Sequence, residues 1–343
     1  MRICVYGAGA IGGHVAARLA AGARTSGAQV SVVARGAHLR AMQERGLTVR
    51  ARDGVLHCRP VATDDPAMLG PQDAVVITVK APSLPEVAAG IGPLLREDTA
   101  VAFVMNGIPW WYFDRTAQDG ARLPALDPGE AIRRAVGIPR TLGGVVYSAA
   151  TVVEPGVIEA LAEDGRVVLG ELDGRITPRL TALADAIAAG GMGGQAVPDI
   201  RMAVWSKLLG NLMTGPLCVL ARQDMGRLLA IPAIREAAIR AGEEVVAIAA
   251  AYGFDLGGSV APRAARSAGL RHRPSILQDL EAGRPMEVES LWRAPLALAA
   301  AAGVDAPTLG LLVALASQAA QAAGCWAPQE TVVVTPAPSR LRR

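Results

Sequence analysis

Apolar residues follow two different periods along the chain, and the change from one to the other divides it. Up to about residue 198, short apolar runs of strand length, such as 2–6, 74–79 and 100–104, alternate with helical segments. From 201 to 324 the apolar positions repeat with the helical period, and glycines or prolines rather than strand patterns interrupt them. The first part predicts a mainly parallel sheet covered by helices on both faces, and the second part predicts helices only.

A chain of 343 residues exceeds the usual size of one domain, so two domains are expected. The predicted fold class is α/β, with an N-terminal Rossmann-type, doubly wound parallel sheet over residues 1–198 and an all-α domain over 199–328. Strand patterns at 156–160 and 166–170 lie beside turn signals and predict a hairpin at the sheet edge. Residues 329–343, which contain prolines and arginines, predict a disordered tail.

The first predicted strand leads directly into a glycine-rich turn. Residues 7–12 read GAGAIG, and a helix and a second strand follow, which completes a β-α-β unit. In a G-x-G-x-x-G turn the first glycine makes the tight turn, the second admits a pyrophosphate and the third lets the helix pack closely. The pyrophosphate rests on the helix N-terminus. The predicted cofactor-binding residues of the turn are Gly7, Ala8, Gly9, Ala10, Ile11 and Gly12.

The residue after the second strand distinguishes between the two nicotinamide dinucleotides. An NAD site has an acidic residue there, about twenty positions beyond the glycines, that binds the ribose 2′-hydroxyl. Here the strand ends in Val33-Ala34-Arg35, and the planar guanidinium of Arg35 suits a 2′-phosphate. We therefore predict NADP as the cofactor, with Arg40 as a candidate second phosphate contact. The alternative is that Arg35 is only a solvent-facing cation.

Polar residues follow two later strands at their carboxyl ends, where ligands of open α/β sheets bind. Lys80 follows the strand at 74–79, and Asn106 follows the strand at 100–104. We predict a role in the binding site for both. Four aromatic residues stand just beyond Asn106, at 110–113, and they either wall a substrate pocket or fill the interface between domains.

The helical half carries its own polar cluster. Lys207 and Asn211 are four residues apart, so a helix places both on one face, although their neighbours are Leu, Gly, Met and Thr. Such a face indicates a wet cavity rather than an exposed stripe. A second polar segment begins at Ser275 and leads to Glu287. A carboxylate from this segment could hold Lys207 charged in a cleft where burial alone would lower its pKa.

Composition and charge narrow the class of protein. The net charge of +3 and the 3% of aromatic residues are too low for a nucleic-acid surface, so no nucleic-acid partner is expected. The four cysteines and four histidines show no ligand spacing, which predicts no metal site and fits a reducing cytoplasm. Asp305 and Pro307 interrupt the longest apolar stretch, so no membrane span is expected. An apolar helical domain of this size makes a homodimer reasonable.

Together these motifs resemble the ketopantoate reductase family, whose members reduce 2-dehydropantoate with NADPH in pantothenate biosynthesis. The shared motifs run in family order over about residues 1 to 320. They are GAGAIG, Val79-Lys80-Ala81, Asn106-Gly107, Trp205-x-Lys207-x-x-x-Asn211, Ser275-x-x-Gln278-Asp279 and Glu287.

The resemblance implies a role for each of the polar site residues. Lys207 would be the general acid that protonates the keto oxygen, and Glu287 would position or support it. Asn211 and Ser275 would hold polar groups of the substrate. Asn106 and Lys80 would bind cofactor or substrate near the reacting centre, and the active site would lie in the cleft between the two domains.

Departures from the family pattern concern the substrate. Gly215 stands where the family commonly has a second asparagine facing the substrate, and Ser290-Leu291-Trp292-Arg293 stands where an Asn-Gly pair usually follows Glu287. The expected activity is the NADPH-dependent reduction of 2-dehydropantoate or a related 2-oxo acid. One alternative is a paralogue that reduces another branched or aromatic 2-oxo acid, with Trp110, Trp111 and Trp292 as candidates for a reshaped pocket. Another is a non-catalytic NADP-binding module that senses redox state or presents a partner surface.

Overall fold

The structure, a computed structural model, describes residues 1–160, 165–258, 260–328 and 332–337. The chain forms two compact units. The first unit comprises residues 1–105, 114–116 and 129–200, and the second comprises 106–113, 117–128 and 201–343. Two segments that precede the predicted boundary at residue 198 therefore belong to the second unit.

Strands and helices alternate through most of the first unit. In its described part the strands are β1 (Arg2–Tyr6), β2 (Gln29–Val33), β3 (Leu47–Ala51), β4 (Gly54–Cys58), β5 (Val61–Thr63), β6 (Ala74–Ile77), β7 (Ala100–Val104), β8 (Thr141–Tyr147), β9 (Ala150–Glu154), β10 (Val157–Ala160), β11 (Arg166–Glu171) and β12 (Gly193–Ala196). The α-helices are α1 (Ala10–Ala21), α2 (Ala23–Ser26), α3 (Gly36–Arg45), α4 (Leu84–Gly90), α5 (Ala131–Val136) and α6 (Pro178–Ala188).

The main sheet of the first unit has eight strands in the order β12-β11-β8-β7-β6-β1-β2-β5. Its neighbours pair in parallel except β8 and β11, so β11 and β12 run against the other six. From β1 the chain extends the sheet first towards β2 and β5 and then, from β6, in the other direction. This reversal is the topological switch point of a doubly wound fold, and the predicted fold class is confirmed.

A second sheet of four strands, in the order β4-β3-β10-β9, belongs to the same unit. Two antiparallel hairpins, β3–β4 and β9–β10, are joined by a parallel pairing of β3 with β10. The predicted hairpin between 156–160 and 166–170 is wrong, because β11 pairs with β8 and β12 in the main sheet. Part of its predicted turn falls in 161–164, outside the described residues. Thr48 of β3 pairs with Val157 of β10, 109 positions later in the sequence. A pairing between such distant segments cannot be predicted from the pattern of neighbouring residues.

Helix α1 lies between the two sheets, and adjacent glycines fit it to both. A Cβ at Gly12 would overlap the Gly7 carbonyl and Thr78 Oγ1 on the side of the main sheet. A Cβ at Gly13 would overlap Ile158 Cδ1 of β10 on the side of the small sheet. The glycine pair thus allows close packing on both sides of the helix that begins in the glycine turn.

The described elements of the second unit are helical, as the sequence pattern predicts. They are a 3₁₀ helix (Pro124–Leu126), α7 (Ile200–Ala221), α8 (Met225–Leu229), α9 (Pro232–Ala251), α10 (Val260–Ser267), α11 (Ser275–Glu281), a π-helical turn (Glu289–Arg293), α12 (Ala294–Ala302) and α13 (Pro307–Ala322). Helix α9 packs against α8, α10, α12 and α13. Its Glu244 accepts hydrogen bonds from the amides of Thr308 and Leu309, at 2.9 and 2.7 Å, and so satisfies the N-terminus of α13.

The aromatic residues at 110–113 are buried in the second unit. The Trp205 indole N–H donates to the Tyr112 hydroxyl at 2.8 Å, and Arg201 Nε donates to the Tyr112 carbonyl at 2.7 Å. The rings of Tyr112 and Tyr252 meet edge to face. These rings therefore fill core space beside α7 and α9.

Two remaining predictions concern membrane spans and the C-terminus. Among the described helices, none combines the length and the apolar character needed to cross a membrane. Of the predicted tail, residues 329–331 and 338–343 lie outside the described residues. Within 332–337, Thr335 forms a bridge with Arg122 through two backbone hydrogen bonds of 2.9 Å.

Candidate active site

The glycine turn lies at the carboxyl ends of β1 and β6, at the switch point of the main sheet. Gly7 has φ +96°, and a Cβ there would overlap Val79 Cγ1. Thr78 Oγ1 donates to the Gly7 carbonyl at 2.9 Å, which ties the turn to the residue after β6. At Gly9, by contrast, a Cβ would find no atom within 4 Å. The first glycine of the motif is in close contact with protein, whereas the second borders open space that a ligand can enter.

Helix α1 begins at this turn without a side-chain cap. Its N-cap residue is Gly9, and the amides of Ala10, Ile11 and Gly12 form the first turn, where no earlier helical carbonyl accepts from them. Free amides and the helix dipole together favour an anion. The residues present therefore fit the pyrophosphate of a dinucleotide.

Arg35 stands at the end of β2, where the sequence predicts the cofactor-selecting residue. Its side chain is 70% exposed and pairs with the Glu86 carboxylate of α4 at 2.5 Å. An exposed ion pair of this kind contributes little free energy, so an anionic ligand can replace Glu86 at low cost. Arg40 lies farther along α3 and is also exposed.

In the second unit, three of the predicted site residues form one hydrogen-bonded chain. Lys207 Nζ donates to Asn106 Oδ1 at 2.6 Å, and Asn106 Nδ2 donates to Glu287 Oε2 at 3.4 Å. Asn106 follows β7, Lys207 lies in α7, and Glu287 precedes the π-helical turn. The Asn106 amide therefore links an ammonium to a carboxylate that is only 6% exposed.

Burial and a neighbouring charge shift the pKa of Lys207 in opposite directions. Desolvation lowers the pKa of the Lys207 ammonium to about 8, while the Glu287 carboxylate favours the charged form and opposes this shift. At neutral pH this ammonium is still mostly protonated. It nevertheless releases its proton more readily than an ordinary lysine, which is the property required of a general acid.

The use of lysine in this chain is unusually selective. The sequence contains 32 arginines and only two lysines, Lys80 and Lys207, and both are predicted site residues. A desolvated lysine can exchange its proton near neutral pH, whereas the guanidinium of arginine stays charged. Lys80 is partly buried in the first unit, three residues beyond the end of β6.

Asn106 is positioned by a close backbone contact that the sequence motifs did not reveal. Gly107 has φ +84°, and a Cβ there would come within 2.5 Å of the Ser290 carbonyl group. The Ile108 amide donates to that same Ser290 carbonyl at 2.8 Å. Only glycine fits this contact, so the Asn-Gly pair in the sequence was the available signal. The contact holds the segment with Asn106 against the turn that follows Glu287.

Asn211 and Gly215 continue the face of α7 that carries Lys207, because four residues make just over one helical turn. A Cβ at Gly215 would lie 3.7 Å from both Ile276 Cγ2 and Trp292 Nε1. Helix α11, which begins at Ser275, and the π-helical turn therefore both reach this end of the face. Sequence reasoning did not identify Ile276.

The structure thus separates the predicted site residues into two groups. Those of the second unit are Asn106, Lys207, Asn211, Ser275 and Glu287, and hydrogen bonds join three of them, Lys207, Asn106 and Glu287. Those of the first unit lie around the glycine turn and the neighbouring strand ends, and they are Gly7, Ala8, Gly9, Ala10, Ile11, Gly12, Arg35 and Lys80.

Comparison with known proteins identifies the class to which this fold and site belong. The sequence profile described as "Ketopantoate reductase PanE/ApbA" matches residues 3–174, and its C-terminal counterpart matches 199–320. A 2-dehydropantoate 2-reductase of Mesorhizobium japonicum is 39% identical over 331 residues, which cover 95% of this chain and all of that protein. The chain belongs to the ketopantoate reductase family. It is an oxidoreductase that acts on CH–OH groups.

Solved structures agree with this assignment. A 2-dehydropantoate 2-reductase from Geobacter metallireducens superposes with a TM-score of 0.81 at 29% identity, covering 93% of this chain and all of that one. A D-mandelate dehydrogenase, solved with NADH and anilino(oxo)acetate, superposes with a TM-score of 0.78 at 20% identity, covering 95% of this chain and all of that one. The second likeness establishes a common fold.

Proposed function

We propose that this protein reduces 2-dehydropantoate, or a closely related 2-oxo acid, to the 2-hydroxy acid with NADPH. The observation that carries the proposal is Lys207, a desolvated ammonium linked through Asn106 to the buried Glu287 carboxylate. A keto group that accepts hydride becomes an alkoxide, and a nearby ammonium both stabilises this charge and supplies the proton. The Mesorhizobium relative, named a 2-dehydropantoate 2-reductase, supports the choice of substrate.

Different residues of the second unit donate the proton, orient the donor and bind the substrate. Lys207 Nζ donates a proton to the former keto oxygen, and Glu287 keeps the ammonium charged until then. Asn106 orients the ammonium through the 2.6 Å hydrogen bond to its side-chain oxygen. Asn211, one turn along the same face of α7, and Ser275 hold polar groups of the substrate.

The first unit supplies the cofactor site. The open space at Gly9 and the amides of Ala10 and Ile11 suit a pyrophosphate, and the exposed guanidinium of Arg35 suits a 2′-phosphate. When bound, the nicotinamide supplies the hydride. Lys80, at the carboxyl edge of the main sheet, contributes a positive charge to this site. The D-mandelate dehydrogenase of the same fold, which was solved with NADH, supports a nicotinamide cofactor in general.

Loss of NADPH absorbance with a panel of 2-oxo acids tests the proposal. The panel contains 2-dehydropantoate, a branched acid without a hydroxyl group and the aromatic phenylglyoxylate. Wild-type protein should reduce 2-dehydropantoate best, and Lys207→Met should lower kcat about 10²- to 10⁴-fold, the usual contribution of a positioned general acid. Lys207→Arg retains the charge but should not restore activity, because a guanidinium does not release its proton.

Binding of NADPH distinguishes catalysis from a sensor role. NADPH affinity, measured by quenching of protein fluorescence, should be the same in Lys207→Met and wild type. A wild-type protein that binds NADPH tightly but reduces none of the acids would establish the non-catalytic module instead. Undiminished turnover in Lys207→Met would show that another group donates the proton.

A further inference from the structure

Trp292 is a fully buried side chain whose polar edge faces the substrate-binding side of α7. Its exposed fraction is 0%, and its Nε1 lies 3.7 Å from the position that a Cβ would take at Gly215. The N–H edge of the indole, rather than its benzo ring, is therefore turned towards the face that carries Lys207 and Asn211.

Trp292 lies in the π-helical turn, five residues after Glu287. The Glu287 carbonyl accepts from the Leu291 amide at 3.0 Å, which joins Glu287 to the start of that turn. Glu287 meets Lys207 through Asn106 at one end of the α7 face, and Trp292 meets Gly215 at the other. The two segments run side by side, with Asn211 between these points.

The N–H of Trp292 has no hydrogen-bond acceptor within the part of the chain that the structure describes. An indole N–H in largely apolar surroundings usually finds a hydrogen-bond partner, so this one is available to a ligand or to water. Ile276 Cγ2 lies at the same distance of 3.7 Å from the Gly215 position. The Trp292 N–H donor and the apolar Ile276 side chain therefore lie together beside Gly215, at one end of the α7 face.

We infer that Trp292 is a specificity-determining residue, which donates its indole N–H to an oxygen at the distal end of the substrate while Ile276 contacts its branched carbon. The inference rests on the proposed function and narrows its substrate class. The preferred substrates are 2-oxo acids with an apolar branch and a terminal hydroxyl. In 2-dehydropantoate these are the two methyl groups on C3 and the hydroxyl on C4.

Gly215 makes this arrangement possible. An alanine there would be in ordinary van der Waals contact with Trp292 and Ile276, but a side chain with its own amide would compete for the indole N–H. Because residue 215 has no side chain, Trp292 is the polar group that contacts the distal end of the substrate. A substrate whose distal end is an unsubstituted ring would leave the N–H unpaired.

The test compares two substrates and two tryptophan variants. The substrates are 2-dehydropantoate and 3,3-dimethyl-2-oxobutanoate, which differ chiefly in the terminal hydroxyl. Wild type should prefer the hydroxylated acid at least about tenfold in kcat/KM, since a site with a buried donor discriminates against an analogue that cannot accept. Trp292→Phe should lower kcat/KM for the hydroxylated acid about tenfold, mainly through KM, and that for the other acid less than about twofold.

Trp326→Phe is the matched control, because the Trp326 indole N–H donates to Glu289 at 3.2 Å and so has its own partner. It should leave the ratio of the two kcat/KM values unchanged, and Gly215→Ala should also keep this ratio. Equal effects of Trp292→Phe on both acids, or none on either, would overturn the inference.

The wild-type protein alone provides a second test that needs no variant to fold. Turnover of both acids with less than twofold discrimination would remove this inference and leave the proposed function standing. Turnover of neither acid would remove the proposed function together with the inference.

Discussion

Lys207 is one of two lysines in a chain that otherwise uses arginine for positive charge. This selectivity fits a residue that must change its protonation state during turnover. Because burial lowers its pKa to about 8, the protonated fraction falls through one half near that pH. The kcat/KM for keto-acid reduction should therefore decline as pH rises through about 8, since this parameter reports the free enzyme.

Two substitutions should move the midpoint of this decline in kcat/KM with pH in opposite directions. Glu287→Gln removes the carboxylate that favours the ammonium, so the pKa of Lys207 and the midpoint fall. Asn106→Asp places a carboxylate against the ammonium and raises both. Lysine labelled with ¹⁵N at Nζ gives only two side-chain signals, and Lys80→Arg assigns them, so the pKa can be measured directly. A midpoint that stays constant in both variants would assign the pH dependence to another group.

Arg35 and Glu86 should set the cofactor preference together. If Arg35 binds the 2′-phosphate as proposed, Arg35→Ala removes a charge-assisted hydrogen bond, and the ratio of kcat/KM with NADPH to that with NADH should fall about tenfold or more. Glu86→Gln removes a competing carboxylate and should raise the same ratio by a few fold, a small effect because the pair is exposed. An unchanged ratio in Arg35→Ala would mean that Arg35 is only a surface cation.

At the scale of elements, the contact between Gly107 and the π-helical turn joins two parts of the site. Gly107→Ala should both strain the positive φ and push the Ser290 carbonyl away, which displaces Asn106 from Lys207. We expect a fall of at least about 2 kcal/mol in the free energy of unfolding and at least tenfold in kcat. Denaturant titration and steady-state kinetics measure the two effects.

Gly27→Ala separates the effect of backbone strain at a positive φ from the effect of the clash with Ser290. Gly27 also has a positive φ, of +67°, but a Cβ there would meet no atom within 4 Å. This control should cost only the backbone term, about 1 kcal/mol, and leave kcat unchanged. If Gly107→Ala behaved like the control, the close approach to Ser290 would have no importance for the site.

The sequence predicted correctly those elements whose signal, such as a glycine motif or an apolar period, lies within a few neighbouring residues. The first β-α-β unit, the polar strand ends and the polar face of α7 all carry such patterns. The partner of β10, by contrast, is set by β3, and Asn106 meets Glu287 across 181 positions of sequence. Those pairings depend on long-range packing, which no short window of sequence encodes. The sequence therefore predicted Lys207, Asn106 and Glu287 as candidate site residues, but not the order of the hydrogen-bonded chain that joins them.

At the scale of the whole molecule, acid should destabilise the protein through a histidine in α1. His14 is 4% exposed, accepts from Arg18 Nε on Nε2 at 3.2 Å, and lies 3.1 Å from Ser148 Oγ through Nδ1. Burial and the Arg18 charge lower its pKa from 6.5 to about 4. The unfolded chain then binds a proton between these values and the folded chain does not, so stability is complete above pH 6.5 and is lost towards pH 4.

The loss attributable to His14 amounts to roughly 3 kcal/mol, which follows from the fall of its pKa from 6.5 in the unfolded chain to about 4 in the folded protein. Urea unfolding of wild type and His14→Gln between pH 4 and 7 measures it. The difference in slope between the two proteins isolates His14, because every other titrating group is common to both. Parallel pH profiles would show that folding does not lower the pKa of His14.

The pairing of β3 with β10 has a consequence for the protein as it leaves the ribosome. The outer face of α1 and the edge of β3 are made early, but the strand that covers them begins at residue 157. At roughly 5–20 residues per second, the chain between them takes on the order of ten seconds to synthesise. For that interval the edge of β3 that later pairs with β10, and the part of the α1 face that β9 and β10 cover, stay open on the nascent chain.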